Sequence, residues 1–327
     1  MQNALLGKQM KQQFLAMVRS PTGDRPLIAV ILLLLGVFIL ALQDVTVKLI
    51  APETSFWQFQ TLRSVGNGLF LASLAWFSGG FGILAPKSWR PVYFRASMLT
   101  ICMFCFFSGA PYLSVAQMTA GLYTYPLFVS LLAGPVLGEK VGPWRISAIV
   151  VGASGASLIL DPFDASFSSV QLLPIAAGFF YACNILILRH ACRYESALSL
   201  VMAVAVLYIL SGLLGVGLLT LFPLTGDLAI QMPFVTVGWP ELTMVVLGIA
   251  IFCSILNLTG NICLARAYQT ADSSWLAPID FTYLLFATFW GRVIFGTWPT
   301  PKALLGMSLI AIAGIVIAWR EQRRLSA

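Results

Sequence analysis

The chain has 327 residues, 59% of them hydrophobic and 9% charged, with a mean hydropathy of +0.90 and a net charge of +7. Soluble domains carry about 25% charged residues, so the composition excludes a soluble enzyme and a disordered chain. The apolar residues come in long runs rather than alternations, which favours membrane helices over a barrel and assigns the basic excess to cytoplasmic loops rather than to a nucleic-acid surface.

Residues 1–25 hold Lys8, Lys11, Arg19 and Arg25 without an apolar core and cleavage site, and read as a cytoplasmic tail. A helix crossing the ~30 Å hydrocarbon core needs about 20 apolar residues. Ten spans meet that criterion, at about 26–50, 55–78, 92–113, 115–138, 143–160, 170–190, 198–222, 241–264, 274–297 and 302–319. The stretch 92–138 is more than twice too long for one crossing, and PYLSVAQ at 111–117 is where it turns. With the N-terminus inside, fifteen of the nineteen Lys and Arg fall in cytoplasmic segments, Arg95 among them. Only Lys302 falls outside, and Lys48, Arg63 and Arg292 lie within spans. This asymmetry places both termini in the cytoplasm, including a short tail at 320–327.

The chain matches itself once without a gap: YTYPLFVSLLAGPVLGE at 123–139 lies over FTYLLFATFWGRVIFGT at 281–297, pairing Thr124 with Thr282, Tyr125 with Tyr283 and Phe128 with Phe286. These are spans four and nine. Five spans is an odd number, so the two copies run oppositely through the membrane. A weaker match joins Gln43, Asp44 and Lys48 of span one to Asn184 and Arg189 of span six. The expected fold is therefore an all-α membrane protein of ten transmembrane helices in two inverted five-helix repeats, 26–160 and 170–319. That plan suits a secondary transporter with its substrate held between the repeats.

The Lys48 end of span one, Arg63 in TLRSVGNGLF, YTYPLFVSLLAGPVLGEKVGPWR with Pro126 and Glu139, and APIDFTYLLFATFWGRVIFGTWPTPKALLGMSLIAIAGIVIAWRE also carry a resemblance. Over about residues 26–321 the chain resembles the EamA-type members of the drug/metabolite transporter superfamily. The resemblance implies a ten-helix inner-membrane carrier that moves a small organic metabolite without ATP. Where the family often has Phe-Gly-Glu this chain has Phe295, Gly296 and Thr297, so no role for that acid carries over.

Charge inside a membrane helix costs ~2.5–3.5 kcal/mol on insertion scales and needs a reason. Asp44 and Lys48 are four apart on span one and can pair; Lys48 and Arg292 lie near outer span ends and can snorkel. Arg63 is deeper and has no acid at i±3 or i±4, so its partner is Asp44 or a substrate carboxylate. Asp280 follows Pro278 and shares a helix face with Tyr283, where an acid can bind a substrate amine, carry a coupling proton or serve packing. Ser254, Asn257 and Asn261 form a polar stripe on span eight, and Asn184 is similar on span six; each can bond across helices or to a ligand. Tyr125, Tyr283 and Trp290 can wall a pocket, as can Trp57, which also suits an interfacial belt. The candidate substrate-binding set is thus Asp44, Arg63, Tyr125, Asn184, Ser254, Asn257, Asn261, Asp280, Tyr283 and Trp290.

The sole histidine, His190, ends a span in RHACR, so neither a Ser-His-Asp triad nor an HExxH site can assemble in the core, and an enzyme is not expected. Cys102 and Cys105 form a CxxC within TICMFCFF that reads as small apolar packing rather than a metal or redox site. A channel remains the rival of another class. Among cargoes an amino acid or related zwitterion is favoured, to be held between Arg63 and Asp280, with a nucleoside-like cofactor or vitamin as the alternative. The expected partners are that metabolite and the bilayer, with no cofactor or nucleic acid. Ala148, Gly152 and Ala156 offer a small-residue stripe to either a homodimer or a neighbouring helix.

Overall fold

The computed structural model describes residues 26–78, 80–137, 143–160, 167–192, 194–224, 229, 232–270, 276 and 279–325. Their α-helices are α1 (Pro26–Ile50), α2 (Phe56–Ser78), α3 (Trp89–Ser108), α4 (Val115–Leu122), α5 (Tyr125–Leu137), α6 (Pro143–Leu160), α7 (Leu173–Ala191), α8 (Ala197–Leu221), α9 (Pro233–Thr236), α10 (Met244–Thr270), α11 (Thr282–Phe295) and α12 (Pro301–Leu325). Six stretches are long and apolar enough to cross a bilayer, and α6, α11 and α12 hold shorter apolar helices. The chain is an all-helical, multi-pass membrane protein. Helix α2 has the length, but Gln58, Gln60, Arg63, Ser64 and Asn67 lower its hydropathy.

Helix breaks follow local chemistry. Helix α3 ends at Ser108, and a turn overlapping the expected 111–117 leads to Ser114. The Ser114 hydroxyl accepts from Gln117 N, and the Gln117 side chain accepts from Ser114 N, a reciprocal cap that starts α4. After eight residues the chain breaks again at Tyr123 and Thr124, since Pro126 in the first turn of α5 has no N–H to continue the ladder. Helix α11 likewise starts after a turn at Phe281, with residues 279 and 280 helical just before it. Pro278 lies outside the described residues.

Helix α1 packs on α10 and α11, α2 on α8 and α10, α3 on α7 and α8, α4 on α7 and α11, α5 on α7, and α6 on α12. The last pair meets through glycines: a Cβ on Gly155 would come within 2.7 Å of Gly306 O, and one on Gly306 within 2.5 Å of Gly155 O. In the neighbouring stripe a Cβ on Gly152 would strike Leu127, while Ala148 and Ala156 are buried, so these small residues serve contacts within the chain. Gly306→Leu is expected to destabilise the protein by about 1–3 kcal/mol, the cost of overpacking, read as a lower unfolding temperature in detergent. Gly217→Leu, on α8 where a Cβ meets nothing within 4 Å, is the control that leaves it unchanged.

Lys48 and Arg292 have structural tasks. The Lys48 ammonium donates to Ala110 O at 2.5 Å and Leu113 O at 2.7 Å, carbonyls of the turn that follows α3. Arg292 donates to the carbonyl of Gly296, whose φ of +67° closes the C-terminus of α11 in the left-handed conformation glycine tolerates. Ser55, Trp57 and Gln58 at the start of α2 donate to Gly238, Val235 and Pro240 carbonyls, so Trp57 fastens α2 to the segment around α9.

Candidate functional site

Helices α1, α2, α10 and α11 bring one polar chain together from four distant parts of the sequence. The Tyr283 hydroxyl donates to Asp44 Oδ2, and Gln43 Nε2 donates to Asp44 Oδ1 at 2.7 Å. Asn257 Nδ2 donates to Gln43 Oε1 at 2.6 Å, and Asn67 Nδ2 donates to Asn257 Oδ1 at 3.1 Å. A carboxylate only accepts, so Asp44 fixes which way every amide in the relay points. The free atom at its far end is Asn67 Oδ1, buried and without a partner.

Arg63, seven residues or ~10 Å into α2, is 2% exposed. Its Nη2 donates to Gln60 Oε1 at 2.6 Å, and its guanidinium carbon lies 5.7 Å from the Phe107 ring centroid and 6.0 Å from that of Tyr208. Cation–π attraction to the two rings holds the planar group where water does not reach. Asp44 is within electrostatic reach, yet no carboxylate among the described residues forms an ion pair with Arg63, and its Nε has no acceptor.

Asp280 sits where α11 begins. Tyr125 donates to its Oδ2 at 3.3 Å and Tyr123 to its backbone oxygen at 3.2 Å. The Tyr123 ring stacks on Tyr283 at 5.1 Å, and Tyr125 meets Tyr181 edge-on at 4.9 Å. Tyr123, Tyr125 and Tyr283, at or beside the helix breaks, and Tyr181 from the middle of α7 form one ring cluster that contacts both acids. Tyr125 and Tyr283, equivalent in the internal repeat, each donate to an acid outside their own helix.

The structure thus joins Asp44, Asn257, Tyr283, Tyr125 and Asp280 to one another and sets Arg63 alongside. The other candidates lie at the edges of this group. Ser254 donates to Arg63 O at 2.8 Å and to Ala250 O, and Asn261 donates back to Asn257 O. Trp290 donates to Phe38 O at 3.3 Å and packs on that ring, bracing α11 against α1. Asn184 is 3% exposed on α7, one turn from Tyr181, and its Oδ1 has no partner.

Sequence reasoning did not count Gln43, Gln60, Ser64, Asn67, Tyr123, Tyr181 and Tyr208 among the site residues. The spacing of Gln60, Arg63, Ser64 and Asn67 is the same kind of polar stripe that identified span eight and would have revealed three of the relevant side chains. Arg95, counted with the cytoplasmic cations, lies on α3 with a buried, unpartnered Nε and within electrostatic reach of Tyr181 and Tyr208.

One cavity touches the site and a second lies beyond it. The first, of about 10 Å³, room for a single water, touches Asp44, Lys48, Met118 and Tyr283. The other, about 210 Å³, lies among Ser114, Gln117, Thr288, Trp298 and Thr300, and Val115 lines both.

Long apolar helices broken around buried polar groups define a polytopic membrane protein of the transporter class. Residues 27–161 match the EamA-like transporter family. The chain is similar to a riboflavin transporter of Rhizobium johnstonii, 28% identical over 287 residues that cover 86% of each protein. A riboflavin transporter of Vibrio cholerae is 29% identical over 208 residues, 64% of each. A crystal structure 18% identical in sequence superposes with a TM-score of 0.57 over 91% of this chain and 98% of the other, which shows a shared fold.

Proposed function

We propose that this protein is a secondary carrier moving a small organic metabolite across the inner membrane by alternating access, through ten spans in two inverted repeats, 26–160 and 170–319, with both termini cytoplasmic. The observation that carries the reading is the pair of tyrosine–carboxylate bonds, Tyr125 to Asp280 and Tyr283 to Asp44, made by equivalent repeat positions where the helices break. Helix packing supports it. Exchanging each span for the one five later turns the α1–α10 contact into α3–α7, α2–α10 into α3–α8 and α1–α11 into α4–α7, and leaves α6–α12, α2–α8 and α4–α11 in place. The cavities on either side of Val115 suit a closed outer path to Asp44 and Tyr283.

For the cargo, the tyrosine cluster favours a flat ring system of the vitamin or cofactor class, and the riboflavin transporters among the relatives point the same way. The unpartnered Arg63 Nε supports the second reading, a zwitterion bound through its carboxylate. Asp44 and Asp280 are the groups that would hold a coupling proton.

Counterflow in proteoliposomes tests the carrier: preloaded unlabelled riboflavin should accelerate entry of labelled riboflavin, or preloaded amino acid that of labelled amino acid, with saturation. Unsaturable flux or electrical current would establish a channel instead. For topology, a thiol reagent confined to the periplasm should label a cysteine placed at Glu241 and spare one placed at Gly82. The reverse pattern would refute the orientation.

A further inference from the structure

Gln60, Arg63, Ser64 and Asn67 occupy positions i, i+3, i+4 and i+7, one face of α2, and are 2%, 2%, 0% and 5% exposed. Each keeps a buried polar atom without a hydrogen-bond partner: Gln60 Nε2, Arg63 Nε, Ser64 Oγ and Asn67 Oδ1. Folded proteins satisfy the large majority of buried polar side-chain atoms, so four unmet atoms along two turns of a single helix face need an explanation.

Their polarity is fixed by their neighbours. Gln60 Oε1 accepts from Arg63, which has no acceptor to offer, so the free edge of Gln60 is its NH₂. Asn67 gives its NH₂ to the relay that ends on Asp44, so its free edge is the oxygen. The face therefore offers N–H donors at Gln60 and Arg63 and an acceptor at Asn67, with the Ser64 hydroxyl between them. Gln60 and Asn67 are ~10 Å apart along the axis, and the Phe107 and Tyr208 rings lie against the guanidinium.

We propose that this face is a substrate subsite for a group with paired acceptor oxygens and a nearby N–H or O–H: the oxygens lie on Gln60 and Arg63, and the hydrogen on Asn67. Ser64 is a contact residue for that group. A ring dicarbonyl such as that of riboflavin and the carboxylate of an amino acid share this chemistry. The inference rests on the carrier reading and names the part of the cargo that α2 recognises. Binding meets donors that otherwise stay unmet, which makes the contacts selective for oxygen over an apolar group of the same shape.

Ser64→Cys in the full-length chain, reconstituted in liposomes, gives the test. The introduced thiol should react with a small charged methanethiosulfonate faster than the background from the six native cysteines. Slowing of that reaction by riboflavin assigns the dicarbonyl, and slowing by an amino-acid mixture assigns the carboxylate. A thiol no more reactive than background, or one protected by neither, overturns the proposal.

Ser64→Ala separates a ligand contact from a packing role. The concentration of the protecting compound that half-saturates its thermal stabilisation should rise about fivefold, the loss of one neutral hydrogen bond. The ligand-free unfolding temperature should hold or rise, because an unmet hydroxyl is removed. A lower unfolding temperature with unchanged ligand response would make Ser64 structural and overturn the assignment. Protection at Ser64→Cys without counterflow in the unsubstituted chain would reject the carrier and support the subsite.

Discussion

Asp280→Asn is expected to reach the membrane in normal amount and to lose most transport. The asparagine oxygen can still accept from Tyr125, and the backbone oxygen that accepts from Tyr123 is untouched, so the packing of α5, α7 and α11 around the tyrosines has no reason to change. What disappears is the charge and the capacity to take up a proton, the two properties that justify an acid inside the membrane. Tyr125→Phe removes its hydrogen bond to Asp280 and should cost about tenfold, the low end for a bond to a charged group and less than loss of the acid. Transport rates normalised to protein in the membrane fraction check the comparison. Full activity of Asp280→Asn, or failure of the folded protein to accumulate, would each count against a functional role.

Arg63→Lys should cut transport by roughly 10- to 100-fold although it keeps the charge. An ammonium has neither the planar fork nor the flat face that the guanidinium presents to Phe107 and Tyr208, and from a shorter reach it loses the charge-assisted bond to Gln60, a class worth about 1.5–3 kcal/mol. The same residue separates the two cargo readings. If a zwitterion is carried, its methyl ester should be transported poorly through the loss of the Arg63 contact, and its N-acetyl form poorly through the loss of the Asp280 contact. Equal transport of the zwitterion and both derivatives would exclude charge recognition and leave the ring-bearing cargo. Near-normal activity of Arg63→Lys would show that charge alone suffices, and would remove the argument from planarity.

Reading α2 shows where sequence reasoning stopped. Arg63 stood out because charge is costly in a membrane, whereas Gln60, Ser64 and Asn67 are neutral and show only through their shared spacing with Arg63, a stripe that was read on span eight and not on span two. Asp44 and Lys48 are four apart and looked like a pair. In the fold Lys48 caps the end of α3 and Asp44 takes its hydrogen bonds from Gln43 and Tyr283. Trp290 looked like a pocket wall and instead braces α11 on α1. Tyr123 was in view as the first residue of the repeated motif, but no periodicity connects it with Tyr181 or Tyr208.

The sequence by itself determined that the chain is helical and membrane-embedded, since 9% charge cannot cover a water-facing surface, and it determined the motif shared by 123–139 and 281–297 because identity in register needs no coordinates. A turn near 111–117 also followed from the sequence, because 92–138 is too long for one crossing; the structure places it between Ser108 and Val115 and adds a break at Tyr123 and Thr124 within the span expected at 115–138. Only the tertiary structure decided which polar groups meet. Asp44 and Tyr283 are 239 positions apart, and Gln43 and Asn257 are 214 apart. Every helix presents several faces, and hydrophobicity inside a bilayer does not distinguish the face turned to lipid from the one turned to another helix. Packing between helices makes that choice, and with it the direction of every amide between Asn67 and Asp44.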